Sequence, residues 1–455
     1  MTIFYDFLFN FLNNGYNNII ERGIYMEFVK DIERQEYDQF VSNHKKSHFL
    51  QSYDWGEFAR LEKNLTPHYV GLKNNGKLVC ASLLLEKHLP FNLSYFYAPR
   101  GFVIDFNDDE LLVEFVKELK KYVKDKNGVF IKIDPDLVIN RYNYLDEKVD
   151  NDYDSTKLLE SLKKLGFKHL GFTKNFETTQ PRFSFRIDFN MDLDTVYEHF
   201  SKTTKQRIKK ANDLDVEVEI GTKEDLKEFY KLMRITENRK DFVTHELKYY
   251  ETLYDIFNNQ DKCNLFVGKV NLNKILDKKK LELNPLLKER KELEELESRS
   301  KSQNNKLKEL TRRCDKLVED IEKYEKLREE YGSEIILNGH FIIEYGDTAW
   351  VLYAGNHNIL TDTYANYKTY YEHIKYYHSR VKVYDQFGTI GDLDKDNPLL
   401  GLHEFKKKFG GDYVEFIGEF DIILKPFYYF CFTKLVPFYR NIIKSIAKIK
   451  NRRNK

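Results

Sequence analysis

Cysteine is scarce. The 455 residues hold four, at positions 80, 263, 314 and 431, and these form neither a CxxC pair nor a zinc-ligand spacing. A disulfide-stapled scaffold is thereby excluded, and a reducing cytoplasm fits best. Long apolar runs are missing too. The opening segment contains Ile3-Phe4-Tyr5 and Phe7-Leu8-Phe9 but breaks at Asn13-Asn14-Gly15, which is too short to span a bilayer. It carries no secretory signal pattern, and Met26 begins a more ordinary start, so residues 1–25 read as an N-terminal extension. Any membrane contact is therefore expected to be peripheral.

Several catalytic signatures are absent as well. There is no Gly-x-Ser-x-Gly elbow, no His-Glu-x-x-His and no Walker lysine loop, which removes the common hydrolase, metalloprotease and nucleotide-hydrolysing classes. The Arg/Gln-x-x-Gly-x-Gly loop that grips the pyrophosphate of acetyl-coenzyme A is missing, and the pair Gly410-Gly411 is too short to replace it. His44, His48, His68 and His88 match no metal-ligand spacing, so no metal is assigned. Acidic residues stop at Asp421. Beyond it Lys425, Lys434, Arg440, Lys444, Lys448, Lys450, Arg452, Arg453 and Lys455 accompany Leu435, Tyr439, Ile442, Ile443, Ile446 and Ile449 at helical spacing. Residues 425–455 thus read as a basic amphipathic tail, and an anionic membrane surface, the protein's own core and nucleic acid are all partners it fits.

What is present is a long charged segment inside an otherwise mixed α/β pattern. Between residues 275 and 331, Leu307, Leu310, Cys314, Leu317, Ile321 and Tyr324 alternate spacings of three and four, the a/d seam of a coiled coil. Leu276, Leu283, Leu286 and Leu293 supply a matching first arm, and the polar stretch 298–305 lets the arms fold back antiparallel. A contact arm and a solvated hairpin with no task both fit this composition. On either side the pattern alternates strands and helices. Asn74-Asn75-Gly76-Lys77 predicts a hairpin turn between strands near 69–72 and 78–85. Asp108-Asp109 caps a helix stepping through Leu112, Phe115, Val116, Leu119 and Val123. Similar grammar recurs after residue 190, so two related mixed-sheet domains are expected, 26–190 and 191–424, the second interrupted by the arms.

The order of motifs resembles the Fem family of peptidoglycan interpeptide-bridge aminoacyltransferases. Phe49-Leu-Gln-Ser-Tyr-Asp-Trp-Gly56, Tyr97-Ala-Pro-Arg-Gly101, Ile133-Asp-Pro135 and Gln180-Pro-Arg182 come first. Ser201 to Ala211, Tyr353-Ala-Gly355, the lysine-rich motif from Gly401 to Gly411 and Ile417-Gly-Glu-Phe420 follow, so the resemblance spans roughly residues 26 to 424. It implies two tandem GNAT-like domains with an antiparallel coiled-coil hairpin in the second. The implied activity is transfer of an amino acid from aminoacyl-tRNA, the co-substrate, to the peptide of a lipid-linked cell-wall precursor, with no other cofactor.

The same resemblance assigns candidate residues. Lys406, with Phe405 beside it, is the candidate for the chemistry, its cation stabilising phosphate or oxyanion. Its neighbours Lys407 and Lys408 leave a plain basic patch as the competing reading. Thr204, Lys205 and Arg207 are candidates for gripping the precursor's diphosphate, Lys205 standing where the family commonly has arginine. Gln51 and Trp55 begin the helix that lines the precursor cleft. Arg60 is the candidate substitute for a lysine the family often carries after this tryptophan. From their own positions, Arg100, between Pro99 and Gly101, suits an anionic ligand or a turn arginine satisfying nearby carbonyls, and Tyr353 and Phe387, at predicted strand ends, suit a substrate wall or the core. Tyr371 stands where the family often places tryptophan. At the tip of the arms, Arg299, Lys301, Lys306, Arg312 and Arg313 are the candidate tRNA contacts.

Overall fold

The computed structural model describes residues 26–150, 154–240, 244–259 and 261–435. The extension at 1–25 and the tail from 436 onward lie outside the described residues. In chain order the strands are β1 (Met26–Val29), β2 (Thr66–Asn74), β3 (Lys77–Leu89), β4 (Leu93–Ala98), β5 (Gly128–Ile133), β6 (Val138–Tyr142), β7 (Lys148–Val149) and β8 (Phe167–His169). They continue as β9 (Phe183–Asp188), β10 (Glu217–Gly221), β11 (Cys263–Asn271), β12 (Glu334–Tyr345), β13 (Thr348–Asn356), β14 (Val383–Asp385), β15 (Asp412–Phe416) and β16 (Phe420–Ile423).

These strands form two mixed sheets, a seven-stranded one ordered β1-β2-β3-β4-β5-β16-β8 and a nine-stranded one ordered β10-β11-β12-β13-β14-β9-β15-β6-β7. The first five strands in the order of each sheet follow one plan: antiparallel neighbours, then a single parallel pair, β4 with β5 and β13 with β14. That repeated plan is the tandem GNAT-like architecture. Chain order and sheet membership nevertheless diverge. β6, β7 and β9 precede residue 190 yet join the second sheet, while β16, near the chain's end, sits inside the first between β5 and β8.

Local chemistry explains the elements. The β2–β3 turn places Asn75 and Gly76 at φ 48° and 78°, the pair of left-handed residues a tight hairpin needs. Asp108 accepts from the Leu111 amide at 3.0 Å to start the helix Asp109–Asp125, whose buried Leu112, Phe115, Val116, Leu119 and Val123 cover the first sheet. A second core lies between the units. There Trp55 and Phe58 of helix Tyr53–Lys63 pack with Tyr249, Tyr250, Leu253 and Phe257 of helix Leu247–Asn258 and with Phe341 and Trp350 of the second sheet. At about 1.5–3 kcal/mol per buried large side chain, this shared core couples the two units.

The arms are two helices, Leu272–Glu294 and Lys301–Tyr331. Their reversal occupies 295–300, shorter than the polar stretch 298–305 predicted. Ser300 and Gln303 form a capping box that starts the second helix early. Lys279 pairs with Asp320 at 2.7 Å, and Lys306, further along, pairs with Glu289, so partner numbers fall as the others rise and the helices are antiparallel. Leu276 and Leu283 face Cys314, Leu317, Ile321 and Tyr324, as the apolar steps predict. At 1.5 Å per residue the hairpin projects roughly 35–45 Å from the sheet.

Beneath the second sheet a buried polar chain runs from Tyr384 Oη to His373 Nδ1 (2.6 Å), from His373 Nε2 to His340 Nδ1 (3.0 Å) and from His340 Nε2 to Asn366 Oδ1 (2.7 Å). Each ring nitrogen has one role only if both imidazoles are neutral. Burial enforces this, pulling His340 from 6.5 to about 4 and His373 well below its ordinary value. A histidine whose folded pKa is depressed binds fewer protons folded than unfolded, so its stabilisation is complete above 6.5 and is lost as pH falls toward 4. Each such group adds a slope of up to about 1.4 kcal/mol per pH unit. The urea unfolding midpoint is therefore expected to drop between about pH 7 and about pH 5, and equal midpoints would contradict the neutral chain.

Candidate functional site

The parallel strands β13 and β14 stay paired only from Thr348 with Val383 to Trp350 with Asp385. Beyond that point they separate. β13 continues along β12 and carries an extra residue, Leu352, between the pairs Phe341–Tyr353 and Ile342–Val351. The other branch follows β9 instead, with Gln386 N bonded to Phe185 O at 2.9 Å and Thr389 N to Phe183 O at 2.8 Å. Past Trp350 and Asp385 the two branches are no longer paired, which leaves a backbone cleft between them, and a topological divergence of this kind is where α/β folds place ligands.

Lys406 holds one wall of this cleft. From helix Leu400–Lys407 its Nζ donates to the carbonyl oxygens of Gln386 (2.7 Å), Phe387 (2.6 Å) and Gly388 (2.7 Å). The residue is 7% exposed, and burial pulls its ammonium down to about 7 while Asp385 opposes the shift. Three acceptors matched to three N–H groups also favour the charged form, because a neutral amine has one donor fewer. Phe387, held at φ 55°, turns its ring toward Phe49 at 6.3 Å, and its amide donates to Asp385 Oδ1 at 2.7 Å.

Asp385 is the hub behind that wall. Its carboxylate also accepts from Ser184 Oγ and from Arg186 Nε (2.7 Å), and Arg186 reaches across to Asp136, just beyond β5, at 2.5 Å. Burial works against charge at Asp136, yet the adjoining Arg186 outweighs it and holds the carboxyl well below the usual range. The first sheet's own parallel pair ends beside this link. There Asp134 accepts from Tyr97 Oη (2.8 Å) and the Arg100 amide (2.7 Å), and burial raises its carboxyl to about 6.

The sequence-derived residues fall into groups. Gln51 is fully buried, its amide bonded to Pro99 O (2.8 Å), Leu83 O (3.3 Å) and Leu83 N (2.9 Å), so it pins β3 to the loop after β4. Arg100 donates to Pro181 O at 2.6 Å and lies 4.2 Å over the Phe416 ring. Trp55 belongs to the core between the units, and Tyr353 borders it, its hydroxyl 2.9 Å from that of Tyr249. Arg60 points outward and pairs with Glu57. A second group joins the basic helix Lys202–Asp213 to the lysine-rich helix: Thr204 Oγ1 donates to Lys408 O at 3.2 Å, Arg207 donates to Tyr367 Oη, and Phe405 packs 5.0 Å from Tyr367. Lys205 donates to Glu198 O at 3.0 Å.

At the tip of the arms Arg299 caps the first helix through Leu293 O and Glu294 O. Lys306 and Arg313 pair across the hairpin with Glu289 and Glu282, while Lys301 and Arg312 are exposed.

Sequence reasoning passed over Lys63. It sits eight residues after Trp55, two helical turns along the same face, and its Nζ lies 4.5 Å over the Trp55 ring. The stem is exposed but the ammonium is enclosed by aromatic faces, and desolvation draws it down to about 8. Arg186 and Asp136 were missed as well. The 3.6-residue spacing could have found Lys63; nothing local marks Arg186.

The fold and cleft define a tandem GNAT-like protein with a helical arm. The chain belongs to the FemAB family, which its residues 32–435 match. It is 30% identical over 417 residues to a protein of Staphylococcus epidermidis named lipid II:glycine glycyltransferase, covering 90% of this chain and 95% of that one. The protein of the same name from Staphylococcus aureus is 31% identical over 412 residues, covering 87% and 93%. The crystal structure of FemX superposes with a TM-score of 0.71 at 29% identity, covering 89% of this chain and 98% of that one.

Lys406→Ala would leave three backbone oxygens without their donor. It is expected to lower the unfolding free energy by about 2–4 kcal/mol, read from urea denaturation. An unchanged midpoint would show that water replaces the ammonium at no cost.

Proposed function

We propose that the protein is an aminoacyltransferase that moves an amino acid from aminoacyl-tRNA to the stem-peptide amine of a lipid-linked peptidoglycan precursor, building an interpeptide bridge. The observation that carries this reading is the near full-length match to proteins named lipid II:glycine glycyltransferase. The chemistry is compatible with what the cleft offers. An aminoacyl ester is already activated, so the acceptor amine attacks its carbonyl carbon, the tetrahedral oxyanion collapses, and the ribose oxygen leaves as the hydroxyl, taking up the proton that the amine nitrogen loses. No covalent nucleophile is required. Lys406 would act through its charge and by shaping segment 386–388, since its three N–H groups are already engaged. The basic helix would receive the precursor's diphosphate through Lys205 and Arg207, with Thr204 fixing that helix to Lys408 O, and the arms would hold the tRNA. The protein would work in the cytoplasm at the inner face of the membrane.

Purified protein incubated with charged tRNA and lipid-linked precursor is expected to yield an aminoacylated lipid product, glycine being the first amino acid to test. Binding of tRNA without product from glycine, alanine or serine would favour a non-catalytic tRNA-binding or scaffolding protein. Product formed from another acyl donor would favour a different GNAT-like transferase.

For the arms, Lys301→Glu combined with Arg312→Glu is expected to weaken tRNA binding about tenfold and to reduce its salt slope by roughly two. Filter binding at several salt concentrations measures this, and an unchanged slope would remove the tip from the tRNA contact.

A further inference from the structure

We propose that the face formed by the β3–β4 turn and the helix Pro426–Phe430 is a docking surface for an anionic lipid bilayer, an inference that rests on the reading of the acceptor as lipid-linked. Two segments far apart in sequence build this face. At the β3–β4 turn, Phe91 and Asn92 adopt φ 65° and 52°, and Phe91 is 85% exposed. A left-handed turn position favours glycine or asparagine, so a phenylalanine held there and turned to solvent has no local structural reason. The flanking Leu89 and Leu93 lie in a small core with Val129, Phe130, Tyr429 and Phe432. That core brings the turn beside the helix Pro426–Phe430.

The helix at Pro426–Phe430 is fixed by one side only. Tyr429 is buried against Phe130, with ring centroids 5.3 Å apart, and its hydroxyl donates to Asp421 Oδ2 at 2.8 Å. Its neighbours face outward, Phe427 73% and Phe430 53% exposed. Large aromatic side chains gathered on one surface, rather than scattered, mark a contact site.

Charge selects the partner. Lys425, beside Asn127 at 3.2 Å, Lys168, over the Tyr429 ring at 5.2 Å, and Lys434 surround the aromatics. Asp421, the last acidic residue of the chain, is buried and paired with Lys132 at 3.3 Å. Every charged residue from 422 to 455 is basic. Exposed aromatics rimmed by lysines match the interfacial zone of an anionic bilayer, where rings enter the headgroup layer and ammonium groups meet phosphates. A protein partner of ordinary composition would offer no such one-sided charge.

The test uses the full chain carrying Phe91→Ser, Phe427→Ser and Phe430→Ser together, with Phe91→Ser alone as a second variant. All three positions are exposed, and unchanged thermal unfolding checks the fold. Co-sedimentation with phosphatidylglycerol/phosphatidylcholine vesicles is expected to weaken at least about tenfold for the triple variant and measurably for Phe91→Ser, with the wild-type chain binding phosphatidylcholine vesicles far less. Turnover on lipid-linked acceptor in those vesicles should fall, while turnover on a water-soluble acceptor lacking the lipid stays unchanged. Should the protein prove not to be a transferase, the vesicle measurement still decides the inference. Wild-type failure to bind, or equal binding by the triple variant, overturns it. A variant that changes oligomeric state without changing vesicle binding assigns the face to a second copy of the chain.

Discussion

The strand ends beside the cleft are tied together by one partly buried guanidinium. Arg186 lies on β9 and pairs with Asp136, just beyond the last pairing of the first sheet, and with Asp385, at the last pairing of β13 with β14. It is held charged by both carboxylates against a desolvation cost that would otherwise favour the neutral form. Removing either carboxylate would leave a partly desolvated charge half compensated. The ion pair thus fixes the ends of two parallel strand pairs relative to each other, one from each sheet.

From that fixed point the difference between the two units follows. In the first, the space beyond the parallel pair is crossed by polar side chains: Asp134 takes Tyr97 and the Arg100 amide, and Gln51 ties β3 to the following loop. In the second, the two branches past the parallel pair are β13, with its bulge at Leu352, and the lysine-held segment 386–388. One scaffold is therefore used twice, once bridged by side chains and once left as a cleft.

Much of the architecture was legible because it is local. Asn75-Gly76, the Asp108 cap, the 3.6-period steps of helix 109–125 and the apolar seam of the arms are written within a few residues of where they act. The ordered motifs likewise pointed to the family. What sequence could not show is how a side chain spends its donors. Gln51 and Thr204 look like ligand-binding positions, yet in the folded chain their polar atoms bond to backbone 32 and 204 residues away. Arg186 and Asp385 are 199 residues apart and share no local pattern. Lys63 differs from these, since its helical spacing from Trp55 was legible and only the enclosure of its ammonium by the Trp55 and Phe58 rings needed the fold.

The exchanged strands carry a consequence for biosynthesis. β16 lies between β5 and β8, so the first sheet has an unfilled gap until residues 420–423 have left the ribosome. For most of translation β5 would present an unpaired edge, and β6 and β9 would wait for partners not yet made. Neither unit can be completed, deleted or transplanted by itself. The chain must fold as a single cooperative assembly, closed by one of its last strands.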